Sequence, residues 1–155
     1  MFGAKLVLMA AAAATSLGGA DPFIGRWKLN VAKSRYVTGS APREQVETLS
    51  VEGANLRVQV VGTTADGVKT LVSYRVPYEG GVGRMDSESS SAYDGISGKL
   101  LGPKEREISR LKGGKVVFTA HAEISVDGRT LTVASKGVSP AGTPVEAHQI
   151  YEKID

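Results

Sequence analysis

The 155-residue chain contains no cysteine. Disulfides, thiolate metal sites and a lipid carried on an N-terminal cysteine are therefore excluded. Histidine is scarce, with two, and aromatics amount to one tryptophan, five tyrosines and three phenylalanines. Neither sign of charge dominates, since 19 basic residues face 16 acidic ones for a net charge of +3. The basic residues are scattered along the chain and the aromatics do not interleave with them, so nucleic acid is not an expected partner. No apolar run reaches the roughly 20 residues that a membrane-spanning helix needs. The expected product is soluble, with no integral membrane segment.

What is present begins with a segment read as a signal peptide. Lys5 precedes Leu6-Val7-Leu8-Met9 and the alanines at 10–14, and Gly18-Gly19-Ala20 puts small residues where a signal peptidase cuts. Residues 1–20 are expected to be removed after Ala20, which makes 21–155 one exported domain, periplasmic or secreted. A membrane anchor is the alternative, for which the run is short. The remaining length suffices for a hydrophobic core without covalent staples.

The rest of the chain is rich in valine, threonine, serine and glycine, in short alternating segments between turn signals. Strands are expected over 23–30, 43–52, 55–62, 68–78, 92–101, 105–111, 116–124, 129–138 and 143–154. Asp66-Gly67 and Asp127-Gly128 are hairpin signals, because type I′ turns need residues that tolerate positive φ. Val68, Thr70, Val72, Tyr74, Val76 and Tyr78 share one strand face, opposite Lys69, Ser73 and Arg75. Such period-2 alternation describes a sheet with one dry and one wet face. The glycines and serines of 80–91 break the pattern and read as a flexible connection with room for one short strand. A meander of this length leaves two costly edges unless it closes on itself. The fold class is therefore all-β, an antiparallel up-and-down barrel of about 8–10 strands. A two-sheet sandwich is the structural alternative.

Two segments carry a resemblance. Phe23-Ile24-Gly25-Arg26-Trp27-Lys28-Leu29 resembles the G-x-W-x-L opening of lipocalins and fatty-acid-binding proteins. Asp127-Gly128-Arg129-Thr130-Leu131-Thr132, Lys136-Gly137-Val138 and Ile150-Tyr151-Glu152-Lys153 resemble the C-terminal end of the fatty-acid-binding branch. The chain is also similar to small secreted bacterial proteins described as lipocalin-like. The resemblance implies a calycin-type barrel with Trp27 plugging its base. Two departures bear on function. The family's last strand carries Arg-x-Tyr for a ligand carboxylate, and here Gln149-Ile150-Tyr151 stands instead. Gln149 offers a neutral hydrogen bond rather than a bidentate charged pair, so a neutral apolar ligand with one polar tip is expected. The family's helical lid is replaced by the short 31–42 stretch, which makes 80–91 the candidate lid.

Strand parity places Leu56, Val58, Val60, Val72, Tyr74, Val76, Phe118, Ala120, Ala122, Leu131, Val133, Ala147, Gln149 and Tyr151 inside. Of these, Val58, Tyr74, Phe118, Ala120, Leu131, Gln149 and Tyr151 are the candidate ligand-binding residues. The small pair Ala120 and Ala122 leaves space for a small hydrophobic molecule, unless Phe118 and the tyrosines fill the barrel completely. Parity in 43–52 is ambiguous. His121 and Glu123 form an H-x-E pattern, but His148 is expected two strands away, too far to complete a metal site. Glu105 and Glu107 read as surface pairing among arginines. Asp94 is the one carboxylate whose parity points inward. Serines occur without a nucleophile elbow or a base, so no enzyme, metal or cofactor is expected. The expected function is non-enzymatic binding of a small molecule inside the barrel. The alternative is an envelope protein–protein interaction module using exposed apolar residues such as Leu49, Leu71 and Leu101.

Overall fold

The computed structural model describes residues 21–88 and 92–155. The 1–20 segment read as a signal peptide lies outside the described residues, as do 89–91 of the candidate lid. Among the described residues there is no α-helix. Twelve strands form one sheet, with every pairing antiparallel. They are β1 (Gly25–Leu29), β2 (Arg35–Thr38), β3 (Glu44–Glu52), β4 (Asn55–Thr63), β5 (Lys69–Pro77), β6 (Gly80–Val82), β7 (Arg84–Glu88), β8 (Gly95–Gly102), β9 (Glu105–Lys112), β10 (Lys115–Ile124), β11 (Thr130–Val138) and β12 (Pro144–Lys153). No helix among them is long and apolar enough to cross a membrane.

Alternation explains most of this register. Leu56 and Val58 are buried while Arg57 between them is exposed; Trp27 and Leu29 are buried while Arg26 and Lys28 are not. Tight turns join the neighbours, such as the β9–β10 hairpin, where Gly113 and Gly114 take φ of 56° and 78°. A type I′ turn asks for those two left-handed residues. The strand count exceeds expectation for two local reasons. The 31–42 stretch holds a 3-10 turn at Val31–Lys33 and then β2, which pairs with β12. The 80–91 connection holds two short strands rather than one, so its first part is sheet and not a free loop.

Those two strands bring the sheet to near closure. Spatial order runs β6-β8-β9-β10-β11-β12-β1-β3-β4-β5-β7. Its two ends, β6 and β7, are consecutive in sequence, and only Gly83 separates them. The chain first pairs with β8, then crosses and pairs with β5. At the crossing Gly83 donates its N–H to the Ile96 carbonyl at 2.9 Å. A Cβ at Gly83 would lie 2.2 Å from the Arg75 carbonyl oxygen, so only glycine lets the backbones approach this closely. The result is a nearly closed barrel, not an open sandwich, and it is compatible with a calycin-type fold.

The buried side chains meet inside this barrel. Trp27 is 0% exposed and packs in one core with Phe23, Leu56, Val58, Ile96 and Leu131. Its indole N–H donates to the Phe23 carbonyl at 3.0 Å, which satisfies the one polar group it buries. Lys153 stands over its ring at 5.5 Å. Beside Phe23, the Arg106 guanidinium donates to Asp21 Oδ2 at 3.2 Å and to the Tyr78 carbonyl at 3.0 Å. The rings of Phe23 and Tyr78 lie 5.3 and 4.8 Å from its guanidinium carbon. Asp21 also accepts the Phe23 N–H at 2.8 Å and bonds the Tyr78 hydroxyl. Arg106 and Asp21 thus form a desolvated ion pair that fastens the N-terminal segment under the barrel.

Two expectations are corrected here. Leu49 is 5% exposed and part of the core, so Leu49, Leu71 and Leu101 do not make one exposed patch. Leu49 follows the inward parity of β3, opposite Val58. Asp94 is exposed and accepts the Gly113 N–H, capping the β9–β10 turn instead of pointing inward. The strand after it starts at Gly95, and it is Tyr93 and Ile96 that are buried.

Candidate functional site

A cavity of about 570 Å³ opens at the end of the barrel opposite the Arg106–Asp21 pair. Three connections ring its mouth: residues 39–42 between β2 and β3, 64–66 between β4 and β5, and 139–143 between β11 and β12. The described part of 80–91 does not line it. The walls come from β3, β4, β5, β9, β10, β11 and β12. Apolar side chains cover much of them, with Val60, Val72, Ala120, Ala122 and Val133 among the lining residues.

Five of the seven residues expected to bind ligand line this space: Tyr74, Phe118, Ala120, Gln149 and Tyr151. Val58 and Leu131 face inward but do not line it. Both are buried in the core around Trp27, one layer below the cavity. Gln149 has a partner already, donating to the Tyr36 hydroxyl at 2.7 Å. Gln45 donates to the Tyr151 hydroxyl at the same distance. Desolvation pushes the Tyr74 and Tyr151 phenols above their ordinary value, so both stay protonated in water at any ordinary pH.

Besides Asp66 at the mouth, two charged residues that parity did not assign line the cavity, Glu47 and Arg110. β9 presents Arg106, Ile108 and Arg110 to the interior, while Glu105 and Glu107 face out. The Arg110 guanidinium carbon lies 4.6 Å from the Phe118 ring centroid, 5.0 Å from that of Tyr93 and 6.0 Å from that of Tyr74. Its Nε is shielded from solvent and has no hydrogen-bond partner. Among the described side chains, which do not include those of 87–91, no carboxylate comes within 4.0 Å of it. Glu47 is the acid whose field it feels. Desolvation inside the barrel pushes the Glu47 carboxyl up to about 7, and the Arg110 charge pulls only part of that back.

The other polar candidates lie outside. His121 Nε2 is 2.8 Å from Glu105 Oε1 on the outer face. His148 is two strands further on, since both histidines pair in register with Ala134 of the intervening β11. No cluster of three metal-ligating side chains occurs among the described residues.

The chain matches no protein-family model and none of the curated proteins.

Proposed function

We propose that the domain is an exported, lipocalin-like binding protein that holds a small amphipathic molecule in its barrel. The apolar body of the ligand lies along Val60, Val72, Ala120, Ala122 and Val133, and its one polar end meets Arg110. The role is binding rather than catalysis. The observation that carries this reading is the cavity itself, whose 570 Å³ fall in the range of about 300–1,000 Å³ typical of small-molecule sites. Its lining has the usual composition of such sites, mostly apolar with a few placed polar groups.

Calorimetric titration of residues 21–155 with 1-decanol, retinol and a short-chain quinone tests the proposal. We expect saturable one-to-one binding of at least one compound, and its loss in Ala120→Trp, whose indole occupies the cavity. An absence of saturable binding for the whole panel would overturn it.

A further inference from the structure

The structure holds an internal standard for a buried arginine paired with a carboxylate. Arg106 has two aromatic rings, a carbonyl and a carboxylate oxygen at 3.2 Å. Arg110, on the same face of β9 with Ile108 between, has the rings, but among the described side chains no carboxylate pairs with it. It lines the cavity. A desolvated guanidinium is stabilised by an oxyanion that takes its planar fork of donors. The shielded Nε is unbonded in both arginines and does not distinguish them; what Arg110 lacks is the oxyanion that Asp21 supplies to Arg106.

Glu47 does not complete the pair but shares the enclosure. The groups facing it from each neighbouring element are few. β1 sets Trp27 opposite Glu47 and turns Arg26 and Lys28 outward; β4 sets Val60 opposite. Tyr74 comes from β5, Arg110 from β9, Tyr151 and Gln149 from β12, and Tyr36 from β2. Asp66 stands at the mouth, where it bonds Thr64. Among the described lining residues Arg110 is the one cation, and an entering anion competes with the Glu47 carboxylate for it.

We propose that Arg110 and Glu47 form a proton-coupled anion subsite, where an amphipathic oxyanion bonds the Arg110 guanidinium as Glu47 takes up one proton. The balance is simple: one negative charge enters and one is neutralised, so the interior keeps one cation against one anion. No covalent bond changes. The titration of Glu47 at about 7 places that proton within easy reach near neutral pH. The inference rests on the cavity reading above and adds the ligand class, an apolar chain ending in a carboxylate, sulfate or phosphate.

Decyl sulfate tests it, because its charge is constant between pH 5 and 9, so any pH dependence belongs to the protein. 1-Decanol serves as the uncharged control. Affinity for decyl sulfate should be about tenfold higher at pH 6 than at pH 8, as the protonated fraction of a group titrating near 7 dictates. Calorimetry at pH 8 in two buffers of different ionisation enthalpy should show close to one proton taken up per sulfate bound. Glu47→Gln should bind equally at both pH values with no uptake, and Arg110→Met should weaken the sulfate at least tenfold more than it weakens decanol. Decanol binding with no sulfate binding, or sulfate binding with neither pH dependence nor uptake, would overturn the subsite alone. Binding of neither compound would overturn the cavity reading with it.

Discussion

Two arginines project from one face of β9, and their surroundings differ in kind. Arg106 is 5% exposed and ion-paired, held by Asp21, the Tyr78 carbonyl and two rings. Arg110 sits among three rings, and among the described side chains no carboxylate pairs with it. Both leave a shielded Nε unbonded, so the carboxylate is what separates them. A buried ion pair of the first kind ties the N-terminal segment to the barrel wall; its removal from one side strands the other charge. A cation of the second kind has no close anion to lose among the described side chains. The same residue type thus closes one end of the barrel and lines the cavity at the other.

Arg106→Met should break this contrast most forcefully. It leaves Asp21 without its cation, and we expect a loss of about 3–5 kcal/mol in urea unfolding, the usual cost of orphaning a buried charge. Arg110→Met should stay within about 1 kcal/mol of the parent, since an apolar side chain replaces a cation that had no close anion. Equal losses in the two variants would erase the distinction between the ends.

A middle-sized effect concerns Glu47. Its folded carboxyl titrates at about 7 against 4.5 in an unperturbed chain, so between those values the folded state holds more protons than the unfolded one. Stability therefore falls as pH rises through that window and levels off above it, by about 2.5 kcal/mol between pH 5 and pH 8. Unfolding midpoints at pH 5 and pH 8 measure this, and Glu47→Gln should flatten the difference. A parent protein equally stable at both pH values would show that the cavity wall is as well solvated as the surface. The smallest effect belongs to the outer face. His121→Ala, which removes the exposed partner of Glu105, should change stability by less than about 0.5 kcal/mol. A larger loss would mean that this face, too, carries structural weight.

The alternation of Leu56, Val58, Val72, Tyr74, Val76, Phe118 and Leu131 made the barrel legible, because apolar residues on one parity need a common interior. The interior's charges were not legible for the same reason. In β9 the inward parity reads Arg106, Ile108, Arg110, and two charges around one isoleucine look like a wet face. The clue was Ile108 itself, the one apolar residue on that parity. In β3, Val46 and Leu49 stand on opposite parities, and only the pairing of Leu49 with Val58 fixes Glu47 inside. Asp94 was misplaced because parity cannot see the shift by which Tyr93 and Ile96 are both buried. Tyr151 was assigned to the interior from its strand, but its bond from Gln45 joins distant strands and follows from register alone.

β1 is flanked on one side by β3 and on the other by β12, with Trp27 in register with Lys153. A chain emerging from the ribosome therefore carries its first strand half-partnered until the last one is made. Distant pairings of this sort slow folding, because loop closure precedes any compensating contact. During that wait the face bearing Trp27 and Leu29 is a sticky surface.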